Sequence, residues 1–210
     1  MAKTKQLKNI MKKICLLFIL FPLFSFAFKQ YDGFKFDEVD TIPLNATKTV
    51  KAKVISVYDG DTYHVRCNYM GKVKTIKVRL ANVDCPEVYF IPKKRKAQPF
   101  ADNVKNILSA LLLNNTVELT YYVKNRYAKP VVDFYGRPIV FIKVGKERLD
   151  DIILRNGWGW YYDGYHKTKP YPKGKELMES AQKDSLGLWS DPNPIKPSDW
   201  RKGITEINKY

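Results

Sequence analysis

The chain has 210 residues and a formal net charge of +16, from 37 Lys+Arg against 21 Asp+Glu. This length suits one domain with a real core and extra chain at the ends, and no internal repeat or low-complexity block suggests a repeat architecture. Charge says little about fold, but it points to a polyanionic partner such as nucleic acid or an anionic surface.

In chain order, Lys3, Lys5, Lys8, Lys12 and Lys13 form a positive opening free of acids. An apolar run follows from Ile14 to about Phe26, interrupted by Pro22, with small Ser25 and Ala27 at the −3 and −1 positions of a cleavage site. The run is short for a membrane span, which needs about 20 residues. Residues 1–27 are therefore expected to be a signal peptide, giving a secreted or periplasmic protein. An uncleaved anchor is the alternative.

Residues 28–48 lack periodicity and read as a lead-in. Alternation then starts. Val50, Ala52, Val54, Ile55 and Val57 suggest a first strand; Tyr63, Val65 and Cys67 a second; Ile76, Val78 and Leu80 a third. "YDGD" and "NYMGK" carry turn chemistry between them. A basic loop containing "KKRK" (Lys93 to Lys96) precedes a helix with Phe100, Val104, Ile107, Leu108, Leu111 and Leu112 on one face and Pro99 in its first turn. "TVELTYYV" and "RPIVFIKV" are two further strands. "ERLDDIILRNG" is a short helix with Gly157 as C-cap, and "KGKELMESAQKDSLG" is a last amphipathic helix. A polar, Pro-rich tail occupies 191–210. The order βββ-α-ββ-α-α predicts an α+β fold over 49–190, a five-stranded OB-type barrel with three covering helices.

Cys15 leaves with the signal. Cys67 lies near the turn of a hairpin and Cys85 far beyond it, about 30 Å of straight strand apart. Two free thiols are favoured over a disulfide. No Cys/His spacing resembles a zinc site. Trp158, Trp160, Tyr161, Tyr162 and Trp189 read as packing more than base stacking, while His64 and His166 fall in no catalytic arrangement.

The charged residues form a sharper pattern. "DGDT" places Asp59 and Asp61 around Gly60 at a strand-to-strand turn. "RLANVDCPE" runs from Arg79 through Asp84 to Glu87. If the second and third strands pair, Asp61 and Asp84 become neighbours. Close carboxylates repel unless a cation joins them, and hard oxygen ligands suit Ca²⁺ or Mg²⁺. "DFYGRP" projects Arg137 from a tight turn. Two arginines can bind a phosphodiester and stabilise added charge on phosphorus. Each piece alone has a bland reading, as an ordinary Asp-Gly turn or a surface ion pair. Together they match metal-assisted phosphodiester hydrolysis.

The motifs "VYDGDT", "VRLANVDCPE", "DFYGRP", "ILRNGWGWYY" and "SLGLWS", in this order over roughly residues 50–190, resemble the staphylococcal nuclease (thermonuclease) family. The terminal "PIKPSDWRK" resembles a tail of secreted bacterial relatives. The resemblance implies a five-stranded OB barrel with three helices. It also implies a Ca²⁺-dependent endonuclease that cleaves the P–O5′ bond of single-stranded or frayed DNA and RNA and leaves 3′-phosphates. Asp61 and Asp84 would bind the metal with the backbone carbonyl of Cys85, where many members have threonine. Asp59 would be a nearby second acid. Glu87 would orient or deprotonate the attacking water. Arg79 and Arg137 would hold the phosphate, with Tyr135 beside it. Among Tyr161, Tyr162 and Tyr165, Tyr165 is favoured as the base-stacking tyrosine. Phe134 stands where the best-known member has a lysine near the terminal phosphate. No protein partner is implied, and a monomer is expected. The rival reading is a non-catalytic nucleic-acid-binding module on the same fold.

Overall fold

A computed structural model of the chain describes residues 46–88, 96–123, 129–165 and 171–205. The expected signal peptide, most of the expected lead-in, Lys93, Lys94, Arg95 and His166 lie outside the described residues. Five long strands build the barrel: β1 (Thr47–Val57), β2 (Thr62–Tyr69), β3 (Lys72–Leu80), β5 (Thr116–Tyr122) and β6 (Ile139–Val144). They pair β3-β2-β1-β5-β6, and β6 returns to β3 in parallel. The sheet is thereby closed on itself, which removes its edges. Among the described residues, three two-residue strands complete the set, β4 (Val83–Asp84), β7 (Glu147–Arg148) and β8 (Trp160–Tyr161).

Period-two alternation sends Ala52, Val54 and Val57 of β1, Tyr63, Val65 and Cys67 of β2, and Val117, Leu119 and Tyr121 of β5 into one core. Ile55 faces outward by the same alternation and is 40% exposed rather than core, while a register shift between Val54 and Ser56 lets Val57 turn back into the core. The β2–β3 hairpin turns at Met70 and Gly71, both at positive φ, as two-residue hairpins require.

Helix α1 (Ala101–Leu112) buries Ala101, Val104, Leu108 and Leu112. Ile107, expected on that face, is 41% exposed. Phe100 is the N-cap, with a left-handed backbone, so Pro99 precedes the helix instead of occupying its first turn. Helix α2 (Leu149–Arg155) ends where Gly157, at φ 66, donates its N–H to the Leu154 carbonyl at 3.1 Å. Helix α3 (Pro172–Lys183) packs Leu177 and Met178 on the core. These three helices and the five-stranded barrel are the expected α+β architecture. A 3₁₀ turn (Gly187–Ser190) and a five-residue helix α4 (Pro197–Arg201) follow. The tail therefore contains a helix that its composition did not announce.

Trp158 and Tyr161 pack against the main core, and Trp160 meets Trp189 edge-on with ring centroids 4.3 Å apart. This aromatic segment also has a positional role. It forms β8, whose Trp160 pairs with Asp84 of β4. Cys67 and Cys85 are both free and buried.

Candidate active site

The site lies at the junction of three chain segments. The first is the β1–β2 turn. Asp59 accepts the N–H of Asp61 through Oδ1 at 3.1 Å, and Tyr63 donates its hydroxyl to the Gly60 carbonyl at 2.6 Å. Glycine is required at position 60 because a Cβ there would lie 2.5 Å from the Cβ of Cys85 and 2.9 Å from Val104. The sequence suggests a tight turn as the reason for this glycine; the structure's reason is the close approach of the turn to the second segment.

That second segment runs from the end of β3 through β4 to Glu87. Thr62 pairs with Arg79 across the hairpin, and the Leu80 N–H donates to the Asp61 carbonyl at 2.9 Å. The Arg79 guanidinium then spans the two acids, with Nη1 2.8 Å from Asp61 Oδ1 and Nη2 2.9 Å from Asp84 Oδ1. Nη1 also donates to the Val83 carbonyl at 2.8 Å. The Cys85 N–H donates to Asp61 Oδ2 at 2.7 Å, and the Thr62 hydroxyl to Asp61 Oδ1 at 3.0 Å. Asp59, Asp61, Arg79 and Asp84 are all buried.

The third segment is the "DFYGRP" turn. Asp133 organises it, accepting the N–H groups of Tyr135 at 2.9 Å and Arg137 at 2.8 Å on Oδ1, with Arg137 Nε at 2.6 Å from Oδ2. Arg137 Nη1 donates to the Thr62 hydroxyl at 3.1 Å, so it stands one residue from Asp61. Barrel closure brings this turn to the site, because the Arg79 N–H donates to the Pro138 carbonyl at 3.0 Å. Tyr135 is 78% and Phe134 97% exposed. Their rings meet edge-on, and the Arg137 guanidinium lies 5.3 Å from the Tyr135 ring centre. Tyr165 is half-buried, against Tyr162 at 5.0 Å and the small cluster that includes Ala81 and Ile139.

Burial and the neighbouring Asp61 charge push the Asp59 carboxyl well above the usual range. Burial also raises Glu87, opposed by its hydrogen bond and ion pair to Arg201. Burial, then the Asp61 charge, raises the Cys85 thiol, which makes it a poor nucleophile. Burial opposes the charge on Arg79, yet Asp61 and Asp84 raise its pKa above the usual value.

The structure thus brings Asp59, Asp61, Arg79, Asp84, Cys85, Glu87 and Arg137 into one neighbourhood, with Tyr135 on its exposed rim and Tyr165 packed beside it. Sequence reasoning missed Thr62, Asp133, Gln98 and Arg201. Asp133 had a signal, as the opening acid of a tight turn. Arg201 had only its place in a terminal motif.

Asp61 and Asp84 are hard oxygen donors of the type a divalent cation takes, but each of their carboxylate oxygens is engaged by Arg79, Arg201, the Thr62 hydroxyl or the Cys85 N–H. Two carboxylates share one guanidinium, and the Arg201 guanidinium straddles both oxygens of Asp84, at 3.1 Å and 3.0 Å. The acids are thus already served by cations. Among the described residues no group of three or more His, Cys, Asp or Glu side chains forms a metal cage.

The family described as staphylococcal nuclease homologue matches residues 77–191. A Haemophilus influenzae protein named as an uncharacterized endonuclease is 33% identical over 150 residues, covering 71% of this chain and 72% of that protein. A micrococcal nuclease of Shigella flexneri is 30% identical over 155 residues, covering 72% and 80%. An uncharacterized endonuclease of Escherichia coli O157:H7 is 28% identical over 152 residues, covering 72% and 85%. With the closed barrel and the acid–arginine cluster, these matches establish that the chain belongs to the staphylococcal nuclease homologue family.

Proposed function

We propose that this nuclease-family protein is an exported, Ca²⁺-dependent, sugar-nonspecific endonuclease that hydrolyses the P–O5′ bond of DNA and RNA. The observation that carries the reading is Arg79 bridging Asp61 and Asp84, with Glu87 tied to Asp84 through Arg201. Asp61, Asp84 and the Cys85 carbonyl would hold the cation, which when bound supplies Lewis-acid stabilisation of charge on the phosphate.

The chain's own groups do the rest. Arg79 and Arg137 donate to phosphate oxygens and offset the charge that builds up at pentacoordinate phosphorus. Glu87 accepts a hydrogen bond from the attacking water and takes its proton as the P–O bond forms. The P–O5′ bond breaks, the departing 5′-oxygen gains a proton, and a 3′-phosphate remains. Tyr135 and Tyr165 contact the nucleotide flanking the phosphate. Phosphate contacts carry no sequence information, so specificity is poor. The chain acts as a monomer on single-stranded or frayed nucleic acid.

The test is digestion of single-stranded DNA and RNA by the purified chain with Ca²⁺, with Mg²⁺ and with chelator, followed by end-group analysis. Calcium-dependent cleavage leaving 3′-phosphates is expected. DNA retained but left intact in Ca²⁺ would replace the enzyme with a binding module. Export through residues 1–27 is tested separately, by the N-terminal mass of the protein recovered from the producing cell.

A further inference from the structure

We propose that the C-terminal segment 191–201 is a working part of the active site, and that Arg201 is a positioning residue that sets the Glu87 carboxylate. This inference rests on the nuclease reading for the role of Glu87.

The charge arrangement comes first. Arg79 serves Asp61 and Asp84 but makes no ion pair with Glu87 among the described contacts. Arg201 makes that pair. Its Nη1 lies 2.5 Å from Glu87 Oε1 and 3.1 Å from Asp84 Oδ1, and its Nη2 lies 3.0 Å from Asp84 Oδ2. One planar guanidinium therefore ties the third acid to the second, a geometry its rigid fork suits and an ammonium does not. A glutamate held this way presents its remaining oxygen in one direction.

A second set of contacts, independent of Arg201, holds the Glu87 backbone. The Gln98 N–H donates to the Glu87 carbonyl at 2.7 Å, and Gln98 Oε1 accepts the Glu87 N–H at 3.1 Å. The same buried side chain donates through Nε2 to the carbonyl of Ile195 in the tail at 2.6 Å. Both backbone groups and one carboxylate oxygen of Glu87 are thus held by the tail or by a residue the tail holds.

The tail itself is anchored. Trp200 is buried and donates its indole N–H to the Lys96 carbonyl at 3.1 Å. Pro197 is buried, and the Lys196 ammonium lies 5.4 Å from the Trp160 ring centre. Ile195 joins Pro86, Gln98, Phe100, Trp160 and Leu188 around a small cleft. Pro86 precedes Glu87 directly. A surface helix needed only for solubility has no reason to seat its last arginine on two active-site acids.

The experiment compares Arg201→Ala and Arg201→Lys with the wild-type full-length chain on single-stranded DNA in Ca²⁺. Arg201→Ala should lower kcat by about 10- to 100-fold, the usual cost of losing a residue that orients a catalytic group. KM should stay within about twofold, because a group that acts through Glu87 adds little ground-state binding. Arg201→Lys should recover part of the rate. Added guanidinium ion should rescue Arg201→Ala but not Glu87→Gln. Unchanged kcat, or a higher KM at unchanged kcat, would overturn the proposal. If wild type cuts nothing, the nuclease reading falls, and amide hydrogen exchange still decides the clamp. Faster exchange at Glu87 and Gln98 in Trp200→Ala, which unseats the tail that holds Gln98, supports it, and unchanged exchange overturns it.

Discussion

Asp61 accepts the backbone N–H of Cys85 at 2.7 Å. An acid at the start of one strand thereby fixes the chain immediately after Asp84, the second acid of the pair. Its other oxygen takes Arg79 and the Thr62 hydroxyl. Asparagine has a single acceptor oxygen and cannot serve both sides. Asp61→Asn should therefore lower kcat for DNA hydrolysis by about 100- to 1000-fold, the range seen when a preorganised electrostatic group is lost. Steady-state rates on one defined oligonucleotide would show this. A near-wild-type rate would remove Asp61 from the machinery.

Gly60 offers a test of how tightly the two acid-bearing segments are pressed together. A methyl group there would meet Cys85 Cβ at 2.5 Å and Sγ at 2.7 Å. Gly60→Ala should cost about 1–3 kcal/mol, the usual range for overpacking a filled core. Urea denaturation monitored by tryptophan fluorescence gives the value. Adding Cys85→Gly removes two of the three colliding atoms and leaves Val104 Cγ1 at 2.9 Å, so the double variant should lose less than the sum of the single ones. If the alanine variant is as stable as wild type, the close approach is not a constraint.

Much of this was legible beforehand, and for physical reasons. Alternation in β1, β2 and β3 is a period-two signal that survives without any partner. The hairpin pairing that follows from it brings Asp61 and Asp84 to one place, but the position of Arg79 between the two acids is not legible from it. The parallel return of β6 to β3, which delivers Arg137 to Thr62, is a long-range pairing with no local signature. Arg201 lies 114 residues from Glu87 in sequence, and no periodicity links them. Ile107 illustrates the opposite error. It fits an apolar helical face by count, yet the helix buries Ala101, Val104, Leu108 and Leu112, packs Leu111 partly against the core and leaves Ile107 exposed.

Phe134 is almost wholly exposed at the tip of the turn that ends in Arg137. An aromatic ring there adds no charge for phosphate. Phe134→Lys should lower KM at low salt and steepen the dependence of log KM on log salt by about 0.7, one additional phosphate contact on a single strand. KM measured across a salt series reads both. An unchanged slope would mean that substrate phosphate does not reach this turn.

Asp150 bears on stability more than on chemistry. It is fully buried, its Oδ1 accepts the Asn82 N–H at 3.1 Å, and Arg148 Nη2 stands 3.8 Å from Oδ2. Burial raises its pKa above the ordinary carboxylate range, against the partly compensating Arg148 charge. The folded chain therefore holds this proton more tightly than the unfolded chain. The resulting stabilisation is fully present below the unfolded value, about 3.9. It is lost as pH rises through the raised folded value. Asp150→Asn keeps an oxygen acceptor for Asn82 and cannot ionise, so it lacks this loss. The Tm difference between variant and wild type should shift in favour of the variant as pH rises from about 4 towards neutrality. Thermal melts of both proteins at matched pH values would show it. A difference that stays constant across that window would mean that Asp150 ionises at its ordinary pKa despite its burial.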